Sequence, residues 1–335
     1  MDKRRIGPLS VSALGVGCMS LSHGYGPPPP ENQAIALIHE AIDLGHTLID
    51  TAALYGFGAN EKLVGKALQG RREQVVLASK CGVFKNAEGK REINGRPEVL
   101  KASCDASLQR LGVDHIDLFY LHRWDKAVPI EDSIGALAEL VQAGKVSHLG
   151  LSEVSAATLH KAHAVHPIAA VQSEYSLWTR NPEIEILAAC RAIGAGFVAF
   201  SPLARQFLTT HLQDVTGLHE TDLRRNMPRF DPAVYPANLA LLAPYEELAR
   251  QAGCTPAQLA LAWLLTRDPD IVPIPGTTRI EHLRENTGAL KVSLDAELMN
   301  ALNQLINEHT VQGPRYNANN QREVDSAEYA HHRLI

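Results

Sequence analysis

Four side chains of this sequence have the types and spacing to hand a proton to an oxygen that is taking on negative charge: Asp50, Tyr55, Lys80 and His122. A phenol ionises near pH 10, roughly, and is a poor donor at neutrality. A lysine cation beside it favours phenolate, lowers that value and makes the transfer feasible. An aspartate holds the lysine in place, and an imidazole can bond the substrate oxygen and fix its orientation. Each residue alone is ordinary: buried Asp–Lys pairs are often structural, and a lone histidine or strand-end tyrosine usually packs. The argument lies in the four arriving together at the ends of consecutive strands.

Those strands follow from the pattern. Short β-branched or apolar runs at 15–18, 47–50, 75–79, 116–121, 148–151, 169–172, 197–200 and 271–274 alternate with amphipathic stretches such as 32–44, 97–111 and 130–143. Proline in the first turn (Pro97, Pro256) and glycine after the last (Gly45, Gly112, Gly144, Gly194) mark helix ends. Eight strand–helix units without a polar linker predict an α/β chain closed into a (β/α)8 TIM barrel, one domain over residues 1–335. A doubly wound sheet would carry a glycine fingerprint after its first strand, and Gly15-Val16-Gly17-Cys18-Met19-Ser20 lacks the third glycine. In a barrel the C-terminal strand ends form the catalytic face. Asp50 ends the second strand, Lys80 the third and His122 the fourth. Residues 203–237 lack periodicity and read as a long mobile loop after strand seven, and 84–96 as a loop after strand three. The polar tail 314–335 either caps the face or stays disordered.

Composition narrows the class. With 335 residues and a formal net charge of -5, there is no basic surface for nucleic acid. No apolar run reaches membrane-spanning length, and Met1-Asp2-Lys3-Arg4-Arg5 leads into fold-like sequence, so a cytoplasmic enzyme of a small-molecule substrate is expected. The five cysteines form no Cys-x-x-Cys pair, which fits a reducing compartment. His160, His163 and His166 spread too widely around a helix to hold a metal, and none is expected.

The run Asp50-Thr51-Ala52, with Tyr55-Gly56 two residues further on, resembles the signature of the aldo-keto reductase superfamily, and the resemblance extends over nearly the whole chain. Leu121-His122-Arg123, Gly150-Leu151-Ser152-Glu153 and Gln172-Ser173-Glu174-Tyr175-Ser176-Leu177-Trp178 are similar to its bacterial, fungal and plant branch. The resemblance implies an NADP(H)-dependent oxidoreductase that reduces an aldehyde or ketone to the alcohol, reversibly. It implies Tyr55 as general acid, tuned by Asp50 and Lys80, with His122 orienting the carbonyl. Ser152 and Gln172 match residues that hold the nicotinamide carboxamide, and Phe200 an aromatic that stacks on its ring. Ser201 and Leu203 match the loop along the pyrophosphate. After strand eight, a loop feeding a helix N-terminus offers free N–H groups to phosphate. There the resemblance assigns Gly276 and Thr277 to the phosphate, Arg279 to the 2'-phosphate, and Glu285 and Asn286 to adenine.

Some positions depart from the pattern. Ala204 and Gln206 stand where close relatives usually carry glycine, and Glu153 where many carry asparagine, so the role of Glu153 is left open. The expected substrate wall is Tyr25, Phe84, Trp124 and Trp178, whose aromatics suggest bulky apolar carbonyl compounds. The alternative is a non-catalytic, cofactor-binding regulatory subunit of the same fold; the intact quartet favours the enzyme.

Overall fold

The computed structural model describes residues 1–86 and 89–330. The chain opens on a hairpin, β1 (Lys3–Ile6) and β2 (Leu9–Ser12). The first barrel strand is β3 (Val16–Gly17), the second β4 (Leu48–Asp50) and the third β5 (Val76–Cys81). A small antiparallel hairpin follows, β6 (Val83–Lys85) with β7 (Arg91–Ile93). Barrel strands four to eight are β8 (Ile116–Leu121), β9 (Val146–Ser152), β10 (Ile168–Glu174), β11 (Gly196–Phe200) and β12 (Ile271–Pro273). Each barrel strand runs parallel to its neighbour, in chain order. Gly15 N–H donates to the Pro273 carbonyl at 2.9 Å and Gly17 N–H to that of Pro275 at 3.3 Å, joining the last strand to the first. The sheet closes, and the fold is the (β/α)8 barrel that the alternating pattern predicts.

The crossover helices are α1 (Glu31–Asp43), α2 (Ala59–Leu68), α3 (Pro97–Leu111), α4 (Ile130–Gln142), α5 (Ala156–Val165) and α6 (Ile186–Ile193). The long connection after β11 holds α7 (Tyr235–Leu239), α8 (Leu242–Gln251) and α9 (Pro256–Arg267); α10 (Ile280–Gly288), α11 (Ala296–Leu305) and α12 (Ala318–Arg322) follow β12. Start signals read from sequence take their expected form: Pro97 opens α3, and Thr255 and Gln258 close a capping box on α9. Leu37, Leu137, Leu149 and Phe119 lie in the apolar layer between helices and barrel, all essentially inaccessible.

Ile6, Leu48, Leu118, Ala170, Val198 and Val272 fill the barrel's interior at its N-terminal end. The β1–β2 hairpin is therefore the floor, an element the strand pattern beginning at Gly15 did not include. Gly196 sits where a Cβ would come within 2.6 Å of the Ile6 backbone, so the hairpin can press flat against β11 only over glycine.

The segment 203–237 carries local structure that its sequence does not announce. It makes short helical turns, and Phe207 stacks on Trp178 with ring centroids 4.2 Å apart, with Phe230 edge-on to the same indole. Of the tail 314–335, residues 314–330 lie across the C-terminal face, and 331–335 fall outside the described residues.

Candidate active site

Parallel register delivers the four candidate residues to one rim. Asp50 ends β4, level with Ala78 of β5; Lys80 lies two residues further along β5, level with Tyr120 of β8. His122 follows β8, its N–H on the Cys81 carbonyl at 2.9 Å. Tyr55 comes from the turn after β4. That turn is pinned by Asn60, which accepts from the Thr51 hydroxyl at 2.6 Å and donates to the Cys18 carbonyl at 2.8 Å.

The side chains meet. The Lys80 ammonium, 1% exposed, pairs with Asp50 Oδ1 and donates to the Thr51 carbonyl at 2.9 Å and to the Tyr55 hydroxyl at 3.3 Å. Its three donors are thus all used, which is what lets a cation persist there. Asp50 Oδ2 accepts from Gln172 Nε2 at 2.8 Å. The His122 ring stands edge-on to Tyr55, centroids 6.0 Å apart.

The electrostatics differ in one respect from the sequence expectation. Burial raises the Tyr55 pKa, and Lys80, which pulls it down, does not fully offset that effect. The phenol therefore keeps its proton near neutrality, as a donor must. For Lys80, burial acts to lower the pKa, but Asp50 and then Tyr55 outweigh it, and the ammonium stays charged. Burial, with Arg123, Lys80 and Arg91, holds the His122 imidazole well below its ordinary value, so it is neutral. Its Nδ1 is buried without a hydrogen-bond partner among the described residues, while the ring lines the cavity.

That cavity, about 710 Å³, runs from Tyr55 and His122 to the start of α10. Ser152 at the end of β9, Gln172 on β10, and Phe200, Ser201 and Leu203 at and after the end of β11 line its middle. Gly276, Thr277, Arg279, Glu285 and Asn286 line its far end, where α10 begins without a side-chain cap. Uncapped first-turn N–H groups and an exposed Arg279, 3.8 Å from Glu281, make that end receptive to an anion. At Gly276 a Cβ would come within 3.0 Å of the Gly17 carbonyl. Ser20 Oγ, on the same wall, is buried without a partner among the described residues. These donors fit an extended ligand with an anionic end, as a dinucleotide has.

The substrate-wall residues divide. Tyr25 lines the cavity, under the Arg224 guanidinium. Phe84, Trp124 and Trp178 do not reach it. Trp178 is 3% exposed, turned into the Phe207–Phe230 stack. Trp124 donates to the Val128 carbonyl at 2.9 Å, closing its own loop, and Phe84 sits on the β6–β7 hairpin. Periodicity cannot tell an aromatic that faces the barrel mouth from one that packs behind it.

In their place the tail supplies wall: Tyr316, Asn320, Glu323 and Val324. The anchor is Glu153, whose role is now plain. It has a left-handed backbone, φ 56°, and its carboxylate is bridged by both Arg315 terminal nitrogens at 2.9 and 2.7 Å. It also accepts from Ser326 and from the Glu174 N–H, both at 2.9 Å. Burial pushes its pKa up, but Arg315 and Arg123 outweigh this and hold it low. The departure of Ala204 and Gln206 from glycine also has a physical setting. Both adopt positive φ, 49° and 80°, the region glycine occupies at least cost. The intervening Arg205 pairs with Glu174 at 2.9 Å, and Arg224 donates to the Gln206 side-chain Oε1 at 2.9 Å and to the Arg205 carbonyl at 3.2 Å, so one ion pair and these hydrogen bonds keep the turn in place.

Barrel, tetrad and cavity together define an oxidoreductase site, and the chain belongs to the Aldo/keto reductase family, whose model matches residues 13–307. It is similar to the structure of the glycerol dehydrogenase AKR11B4 from Gluconobacter oxydans, at 28% identity and a TM-score of 0.84 over 98% of each chain. It is also similar to the holo form of the aldo-keto reductase AKR11C1 from Bacillus halodurans: 29% identity, TM-score 0.75, 93% of this chain and 100% of that one. The thermostable aldo-keto reductase Tm1743, in complex with the inhibitor epalrestat, gives 31% identity and a TM-score of 0.73 over 91% of this chain and 100% of its own. Members of this family use nicotinamide cofactors. Among the described residues no group of His, Cys, Asp and Glu is placed to hold a metal, and no helix is long and apolar enough to cross a membrane.

Proposed function

We propose that this chain is an NADPH-dependent reductase of aldehydes or ketones, able to run in reverse on the alcohol. The observation that carries this reading is the Tyr55 hydroxyl, held at 3.3 Å by the Lys80 ammonium beside His122 at the cavity's inner end. When bound, the reduced nicotinamide supplies the hydride. Ser152, Gln172 and Phe200 would hold its head, Ser201, Leu203, Gly276 and Thr277 its phosphates, and Glu285 and Asn286 its adenine; that all of them line the one cavity supports this reading.

The protein's own part is proton and charge. Neutral His122 hydrogen-bonds the carbonyl oxygen and aims it at Tyr55. As that oxygen gains charge, the Tyr55 hydroxyl donates its proton, and Lys80 stabilises the phenolate left behind. Asp50 keeps the ammonium from drifting, and Gln172 keeps Asp50 in place. In the alcohol direction the same phenolate accepts the proton. The glycerol dehydrogenase among the similar structures is named for this direction.

NADPH is favoured because the cavity's far end carries Arg279, held only loosely by Glu281. A guanidinium meets a 2'-phosphate with paired donors. Oxidation of NADPH followed at 340 nm with 4-nitrobenzaldehyde is the test. Turnover is expected; a chain that binds NADPH yet turns over no aldehyde, ketone or alcohol is instead the regulatory subunit.

A further inference from the structure

Arg123 was no part of the tetrad, and its guanidinium is only half used. Nη1 donates to the His122 carbonyl at 2.7 Å and to the Ser152 hydroxyl at 3.1 Å, which fixes the plane of the group. The opposite edge, Nε with Nη2, has no acceptor among the described residues, and Nε is buried. A buried donor without a partner is unfavourable and uncommon in folded proteins. That edge presents two parallel N–H groups, the spacing that matches the two oxygens of a carboxylate.

Among the described residues no carboxylate forms an ion pair with this charge. Lys80 pairs with Asp50, Arg91 with Glu323, Arg205 with Glu174 and Arg224 with Asp222. Glu153, the carboxylate that feels Arg123, is already bridged by Arg315. His122 and His23 are both held toward the neutral form by burial. Arg123 therefore places a lone positive charge on the wall of the cavity, close enough to act on both Tyr55 and His122. Of the aromatic rings expected to make this end apolar, Tyr25 lines the wall, but Phe84, Trp124 and Trp178 are packed elsewhere, and His23, Arg91 and Asn320 stand on the wall with it.

We propose that Arg123 is a specificity-determining residue that takes the carboxylate of an anionic carbonyl substrate, so that the preferred substrates are aldehydes or ketones bearing a carboxylate rather than bulky neutral ones. This rests on the reductase reading above. The substrate carboxylate docks on this edge through Nη2, which is not closed off as Nε is, while its carbonyl oxygen lies between Tyr55 and His122.

The test compares 2-, 3- and 4-carboxybenzaldehyde with their nitro isosteres, planar and of similar size but neutral, in the parent, Arg123→Met and Arg123→Lys. The readout is the carboxy-to-nitro ratio of kcat/KM, in which intrinsic reactivity and any general loss of rate cancel. At least one carboxylated isomer should lose about tenfold or more of its ratio in Arg123→Met, mainly through KM, since one charge-assisted pair of bonds is of that size. Arg123→Lys, which keeps the charge but not the paired edge, should recover part of it. Raising ionic strength should raise KM for the carboxylated isomer only. A ratio unchanged in Arg123→Met overturns the proposal. So does a result in which that variant loses NADPH affinity, read by cofactor fluorescence, while the ratio stays the same, because the edge would then serve the cofactor. Failure of every aldehyde, neutral ones included, would count against the reductase reading itself and is seen separately.

Discussion

Gln172 Nε2 donates to Asp50 Oδ2 at 2.8 Å, tying a residue of the sixth barrel strand to the ion pair between the second and third. Replacing it by methionine, close in volume, leaves one oxygen of a carboxylate that is 2% exposed without its donor. The expected cost is about 1–3 kcal/mol, read as a lower urea midpoint. Unchanged stability would mean that the bond contributes nothing net.

Tyr55→Phe and Lys80→Met should behave differently although both residues belong to the tetrad. Removing the phenol oxygen leaves Lys80 with Asp50 and the Thr51 carbonyl, so the variant should fold and bind NADPH normally. It should lose orders of magnitude in carbonyl reduction. Lys80→Met strands the buried Asp50 charge and should cost about 3–5 kcal/mol of stability. Thermal melts and single-turnover rates on both variants separate the two effects. A Tyr55→Phe enzyme that keeps most of its turnover number would show another group to be the acid.

How much of this was legible beforehand depends on what kind of signal placed each residue. Asp50, Lys80 and His122 lie at strand ends, and parallel register carries a strand end to the rim without further information. Tyr55, Arg279 and Asn286 came from short local runs. The Arg315–Glu153 bridge joins positions 162 apart, and no local pattern announces such a partner. The free edge of Arg123 was hidden for the same reason, since only the finished neighbourhood shows which donors go unused. The β1–β2 floor has strands of four residues, too short for alternation to stand out.

The neutrality of His122 makes stability depend on pH. Its folded pKa lies well below the ordinary value near 6.5. Between the two values the unfolded chain binds more protons, so stability is full above about pH 6.5 and falls as pH drops beneath it. His122→Asn should flatten this part of the profile of Tm between pH 7 and 5. His46, buried and shifted in the same direction, sustains a residual slope. Identical profiles for parent and variant would place the His122 pKa near its unfolded value.

Arg279→Ala should reduce the preference for NADPH over NADH about tenfold or more, by loss of at least one charge-assisted contact of roughly 1.5–3 kcal/mol. The comparison is kcat/KM with each cofactor. A parent enzyme that favours NADH would overturn the assignment.

Hydrogen exchange tests the segment 203–237 as a part that becomes ordered with NADP(H). The aromatic stack of Phe207, Phe230 and Tyr235 anchors its two ends. Slowing on binding NADP+ should therefore concentrate in residues 211–221, most of which are exposed. Equal exchange throughout, with and without NADP+, would show that the segment does not respond to cofactor.

The bridge from Arg315 to Glu153 also sets an order of events during synthesis. Glu153 leaves the ribosome 162 residues ahead of its partner, when β10, β11 and β12 have yet to form. Until Arg315 arrives, this carboxylate cannot be sealed at the rim without leaving a buried charge unmatched, and the wall that Tyr316 and Asn320 provide is missing. A nascent chain cut short before Arg315 thus carries all four tetrad residues but no finished pocket. The fold thus withholds the finished pocket from any product that ends before Arg315.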